Sequence, residues 1–220
     1  MKNFNIIQDF IPLGRRNRPG RVNPMRYITI HETGNTRPGA DALAHANFVK
    51  NPATQVSWHY TTDCVRTVQH LPENEDAFHA GDGAGKGNRQ SIGIEIAVNS
   101  DGNFLRTIER TAELVADICK RRNIPIENIR QHFNWSRKNC PENIRAGRPI
   151  TWDAFIDMVR KHLEPPQETM RFDIFGEMVE IDAFIRNDRT FVSARQLLET
   201  MGYDIKWNDS TRTVVVKHKT

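Results

Sequence analysis

The sequence predicts an α/β domain followed by a second, small α+β domain. Three observations carry that reading. Strand-like and helix-like patterns alternate from Arg26 to Leu163. Two consecutive prolines then break the chain in EPPQETM, residues 164–170. Beyond them the pattern changes to short strand pairs around one short helix.

The elements follow in order. Tyr27–His31 alternates and is rich in β-branched residues, so it reads as a strand, and TGNTRPG (33–39) after it is dense in turn formers. A helix is expected from Ala40 to Lys50, stopped by Asn51–Pro52. Val56–Thr62 and Val65–His70 read as strands around a turn at Asp63, and GDGAGKG (81–87) as a loop. SIGIEIAV (91–98) is a nearly continuous apolar run, the pattern of a strand covered on both faces, with Glu95 as its lone carboxylate. Leu105–Arg122 is the clearest helix, with Ile108, Ala112, Val115 and Cys119 on one stripe, which makes Cys119 a core thiol. RQHFNWSRKNCP (130–141) reads as a strand end and loop, and Trp152–Leu163 as an amphipathic helix.

The domains are therefore 1–163, a linker at 164–169, and 170–220. In the last part a hairpin is expected at Gly176 between Phe172–Ile174 and Met178–Ile181, a helix over Val192–Met201, and a second hairpin around WNDSTR. A unit of this size has a marginal core of its own.

The chain of 220 residues is 38% hydrophobic and 26% charged, which disfavours disorder. No apolar run approaches the ~20 residues of a membrane helix. The N-terminus lacks the basic, apolar, small-residue order of a secretory signal, so export by the usual route is not expected. The net charge of +4 sits in residues 1–25, where Lys2, Arg15, Arg16, Arg18 and Arg21 face Asp9 alone. The rest of the chain is balanced, which argues against a nucleic-acid binder; the basic arm is either a segment packed along the domain or a contact for an anionic polymer. Cys64, Cys119 and Cys140 are too few and too far apart for a disulfide framework.

Of eight histidines, His162, His218 and His45 read as surface residues. His31 ends a strand and opens a loop of small residues, and His132 has similar punctuation with Cys140 eight residues on. Two imidazoles and a thiolate suit zinc and leave a fourth tetrahedral position open, although on spacing alone such a pair is usually unrelated. Glu95 in an apolar strand needs a basic partner or a polar cavity, since burying it unpaired costs several kcal/mol. Beside an activated water it would serve as a proton acceptor. Lys138 could place a cation near a developing oxyanion, or simply be exposed.

YITIHETGNT (27–36), FHAGDG (78–83), SIGIEI (91–96) and QHFNWSRKNCP (131–141) together resemble the zinc-dependent type 2 N-acetylmuramoyl-L-alanine amidases, the superfamily shared with peptidoglycan recognition proteins. The likeness is to endolysins and autolysins of Bacillus-type phages and prophages, and spans about residues 4–163. It implies a central mixed β-sheet flanked by helices, one zinc ion on His31, His132 and Cys140, Glu95 as general base and then acid, Lys138 as stabiliser of the tetrahedral intermediate, and His79 at the cleft touching substrate. The partner it implies is peptidoglycan, cut between the lactyl group of N-acetylmuramic acid and L-alanine, so the protein would act at the cell wall, made in the cytoplasm and released by phage-type lysis or a non-classical route. A binding-only relative is the alternative; such relatives have lost a ligand, usually the cysteine, and Cys140 is present.

Trp58 stands where some relatives carry a catalytic tyrosine; it would stack on sugar or fill core. Glu32 stands where many carry a neutral residue, and strand alternation would turn it away from the metal. Residues 170–220 resemble, more loosely, the small domain named for the N-terminal region of copper amine oxidases; the copy lacks a copper ligand cluster, and the analogy implies wall attachment or self-association.

Overall fold

The structure is a computed structural model that describes residues 6–164, 168–186 and 188–219. Lys2 of the basic arm and residues 165–167 of the linker fall outside those residues. The chain divides into two units, Met1–Leu163 and Glu164–Thr220.

The first unit holds strands β1 (Ile6–Gln8), β2 (Tyr27–Glu32), β3 (Tyr60–Thr62), β4 (Thr67–Gln69), β5 (Ser91–Ile96) and β6 (Ile129–Gln131). Its helices are α1 (Ala42–Lys50), α2 (Lys86–Gln90), α3 (Phe104–Arg122), the single turns α4 (Phe133–Ser136) and α5 (Glu142–Arg145), and α6 (Trp152–Leu163). The strands form one mixed sheet in the order β1-β4-β3-β5-β2-β6, antiparallel only between β3 and β4.

Strand alternation sorts the two central strands into faces. Ile28 and Ile30 of β2 and Ile92, Ile94 and Ile96 of β5 belong to the main core with Ile108, Ala112 and Val115 of α3 and Phe155 and Val159 of α6. Cys119 is in the same core, as its helical stripe predicts. The opposite residues, Thr29 and His31 of β2 and Ser91, Gly93 and Glu95 of β5, share the other face, where the site lies. SIGIEI is thus two-sided: isoleucine on one face, small or polar residues on the other.

Caps define the helices. Asp41 accepts from Ala44 N and starts α1 two residues later than expected, and Asn103 accepts from Arg106 N at the start of α3. β3 and β4 are shorter than the expected runs; before β3, Ser57 N bonds Phe78 O and His59 N bonds Gly93 O.

The N-terminal arm is built into the unit. β1 adds a parallel edge to β4, and Ile11 is fully buried. Arg18 makes a bidentate pair with Glu75 at 2.7 and 2.8 Å, and Arg21 meets Asp76 at 2.7 Å. Two of the arm's arginines are therefore neutralised by the domain itself and are not free for an external polyanion.

In the second unit β7 (Glu168–Ile174), β8 (Glu177–Arg186) and β9 (Arg189–Val192) form an antiparallel sheet. α7 (Ala194–Thr200), capped by Ser193, is followed by the hairpin of β10 (Tyr203–Asn208) and β11 (Thr213–His218). β7 begins inside the segment read as linker, and β9 lies in a stretch given no element by the sequence reading, ending at Val192, where the helix was expected to start.

No helix among the described residues is long and apolar enough to cross a membrane.

Candidate active site

Parallel pairing of β2 and β5 sets His31 opposite Glu95, and pairing of β3 and β5 sets Thr61 on Glu95's other side. His31 Nδ1 lies 4.0 Å from Glu95 Oε1. His132 follows β6, held by its backbone N–H on Ile30 O at 3.2 Å, and its Nδ1 is 2.9 Å from His31 Nδ1. The chain turns through α4 and the left-handed residue Arg137 (φ 64°), then returns so that Phe133 N bonds Cys140 O. Cys140 Sγ ends 3.9 Å from His31 Nδ1.

The Cys140 loop is tied to β2 by Glu32. Its carboxylate accepts Asn143 N at 2.9 Å, Asn143 Nδ2 at 2.8 Å and Ile144 N at 3.0 Å, all at the start of α5. The Glu32 backbone N–H points at Cys140 Sγ, 3.4 Å away. Glu32 is consequently committed to the protein, next in chain to one metal-type ligand and clamping the loop that carries another.

The donor set fits a zinc ion. The ligand atoms of His31, His132 and Cys140 lie within 4.8 Å of one another and all three residues are buried. Tetrahedral zinc with ordinary bond lengths puts two ligand nitrogens about 3.3 Å apart and nitrogen and sulfur about 3.6 Å apart, close to the 2.9 and 3.9 Å found here. Burial, then His79, His132 and Lys138, hold His31 well below the usual imidazole range. Burial followed by Lys138 lowers His132 to about 4, so both rings are neutral and able to donate lone pairs near neutral pH. Burial, with Glu95 next, pushes the Cys140 thiol up to about 12. A thiol so placed ionises when a cation compensates it.

Glu95 has one buried oxygen, Oε2, without a hydrogen-bond partner. Burial raises this carboxyl to about 8, Lys138 pulls it down, and Glu32 adds to the rise. A buried carboxyl with an unpartnered oxygen and a pKa raised toward neutrality is suited to taking up and returning a proton, and is what a structural residue would avoid.

Glu95, His79, His132 and Lys138 line a cleft of about 340 Å³ together with Thr33, Asn35 and the apolar group Ala44, Phe48, Val56 and Trp58. The candidate site residues His31, His132, Cys140, Glu95, Lys138, His79 and Trp58 thus lie in the trio or on this cleft. Trp58 is buried, stacks with Phe48 at 6.2 Å, and donates from Nε1 to Thr61 Oγ1 at 2.7 Å. It both fills core and lines the cleft. His79 also lines the cleft, with Nδ1 2.9 Å from His31 Nε2. Lys138 is exposed along much of its length, and its place on the cleft comes from the tight return to Cys140.

His45 departs from its expected surface position. It is 7% exposed, lines the cleft, and donates from Nδ1 to Asp41 O. The reason is the face of α1, where Ala42, Ala46 and Val49 turn inward with it. Asn88 and Gly93 carry no chemistry by type and were not singled out. Asn88 Oδ1 accepts the backbone N–H groups of His79 and Ala80 at 2.8 and 2.7 Å. Gly93 leaves room for the His79 ring, since a Cβ there would meet it at 2.8 Å; a glycine inside a strand is the signal that could have found it.

Comparison with known proteins agrees with this geometry. Residues 21–143 match the family described as N-acetylmuramoyl-L-alanine amidase, and residues 174–220 match the copper amine oxidase N-terminal domain. The chain is 50% identical over 151 residues to the N-acetylmuramoyl-L-alanine amidase XlyA of Bacillus subtilis strain 168, covering 69% of this chain and 50% of that protein. It is 45% identical over 165 residues to CwlH of the same organism, an N-acetylmuramoyl-L-alanine amidase, covering 74% of this chain and 64% of the relative. The chain therefore spans between about half and two thirds of these relatives. The solved catalytic domain of XlyA superposes with a TM-score of 0.68 at 48% identity, covering 70% of this chain and 99% of that one.

Proposed function

The chain belongs to the N-acetylmuramoyl-L-alanine amidase family, and from that membership and the cleft we propose that it hydrolyses the amide between N-acetylmuramic acid and L-alanine in peptidoglycan, using zinc. The observation that carries the proposal is the pairing of His31 with Glu95 across β2 and β5, which sets a buried, unpartnered carboxylate oxygen beside a His, His, Cys donor set.

His31, His132 and Cys140 would hold the zinc. Bound there, zinc supplies Lewis-acid polarisation of the scissile carbonyl and lowers the pKa of a water toward ~7. Glu95 takes the proton of the attacking water and returns it to the departing amine of L-alanine. Lys138 stabilises the oxyanion that develops on the carbonyl. The apolar wall of Phe48, Val56 and Trp58 keeps water from the far side of the cleft and offers flat surface to the substrate.

In this reading residues 1–163, including the arm 1–25, form the catalytic domain, 164–169 a linker, and 170–220 a module for attachment to a wall polymer or for self-association. The site of action is the bacterial cell wall, reached by phage-type lysis.

Glu95→Gln tests the proposal. The variant is expected to bind one zinc per chain like the wild type and to lose roughly 10²–10⁴-fold in hydrolysis. Full hydrolytic activity in that variant would reject Glu95 as the base.

A further inference from the structure

Both ring nitrogens of His31 are engaged. Nδ1 faces His132 Nδ1 at 2.9 Å and Cys140 Sγ at 3.9 Å, while Nε2 faces His79 Nδ1 at 2.9 Å. A neutral imidazole carries one proton and one lone pair. With the proton on Nδ1, the His31 lone pair would point away from His132 and Cys140. With the proton on Nε2, the ring donates to His79 and presents its lone pair to them.

We propose that His79 is a positioning residue for the metal site: its Nδ1 accepts the Nε2–H of His31 and so fixes the ring plane and tautomer in which His31 Nδ1 is a ligand. The inference rests on the zinc reading of the trio and adds a role that differs from contact with substrate. Accepting through Nδ1 puts the His79 proton on Nε2, an atom buried with no partner.

His79 is itself held from three directions. Asn88 Oδ1 takes its backbone N–H at 2.8 Å. Its ring rests on Gly93, where a Cβ would come within 2.8 Å of Cγ and Cδ2. It also meets His59 edge-on at 6.1 Å. His59 is fixed in turn, accepting Gly93 N–H on Nδ1 at 2.9 Å and donating from Nε2 to Glu75 O at 2.8 Å. The small face of β5 therefore has a purpose: Gly93 seats His79, and His79 orients His31. An acceptor on the outer nitrogen of a metal-bound imidazole raises its basicity and limits its rotation, and losing one typically costs 10–100-fold in metal affinity.

The test uses the full chain and reads zinc affinity by competition with a chromophoric chelator, with circular dichroism to follow the fold. In His79→Asn, Oδ1 stands where Nδ1 stood and can accept the same hydrogen; His79→Leu fills similar space with no acceptor. Zinc binding is expected to weaken roughly 10–100-fold in His79→Leu and to stay within about threefold of wild type in His79→Asn. Gly93→Ala, which displaces the ring, should weaken binding in the same direction as His79→Leu. Equal losses in the Leu and Asn variants would indicate packing alone and overturn the proposal, as would wild-type affinity in His79→Leu. A wild-type chain that takes up no zinc would instead refute the zinc reading beneath it.

Discussion

Replacing Glu32 by glutamine should loosen the loop that carries Cys140. All three groups facing the Glu32 carboxylate are donors: Asn143 N–H, Asn143 Nδ2 and Ile144 N–H. An amide offers one oxygen and one NH₂, so whichever way it turns, a donor meets a donor. Ile144 is fully buried and its N–H has no access to water as a substitute. Leaving one buried donor unsatisfied costs about 1–3 kcal/mol, and replacing the remaining charged acceptor with a neutral one costs about 1 kcal/mol more. The sum is about 2–4 kcal/mol, which for a chain of this size lowers Tm by roughly 4–16 °C. Thermal unfolding of Glu32→Gln beside wild type measures it, and zinc affinity should fall with Tm because Cys140 sits at the end of the clamped loop. A Tm within about 2 °C of wild type, with unchanged zinc affinity, would refute the clamp.

Other consequences are open to the same kind of measurement. Glu73 is buried and accepts from Tyr60 OH, Arg121 and Arg122; burial raises its pKa, but these partners outweigh it and leave the group below the usual carboxylate range. Its contribution is therefore present above the unfolded value of ~4.3 and lost as pH falls through the lower folded value. Glu73→Gln should cost about 1–3 kcal/mol at pH 7 and flatten the acid side of the stability profile, as checked by denaturant titration from pH 3 to 7; an unchanged profile would contradict the pairing. Removing residues 164–220 should leave hydrolysis of solubilised muramyl peptide within about twofold and reduce binding to intact walls; unchanged wall binding in a pelleting assay would remove the attachment role.

The central strands and long helices were legible because a strong period survives any context: alternation in YITIHE, and an apolar stripe in α3 and α6. β1 was not, since three residues pairing with a strand about sixty positions away leave no local pattern. α2 was masked by Gly85 and Gly87, which read as a loop while Asp82 satisfies the helix's first N–H groups.

At the site, Glu95 stands out as a carboxylate in an apolar run and His31 as a strand-end histidine, whereas the His31, His132 and Cys140 set was legible only through the four motifs taken together. The residues that hold them do not stand out. Alternation predicts that Glu32 turns away from the metal, but not its clamp on Asn143 and Ile144, because alternation describes where a side chain starts and not which backbone comes to meet it. His45 was assigned to the surface from its helix's polar neighbours, although α1 turns that stripe inward. Arg18 and Arg21 counted as surplus charge because Glu75 and Asp76, their partners, lie more than fifty residues away in sequence.

The most direct measurement is the chemistry of the cut. Purified wall is digested with the full chain, with chelator, and with chelator followed by zinc, and the products are analysed for new amino termini and new reducing sugar. The expected result is free N-terminal L-alanine with no new reducing ends, abolished by chelation and restored by zinc. Reducing sugar in place of alanine, or alanine release that persists after complete removal of metal, would contradict the assignment of this cleft as a zinc amidase site.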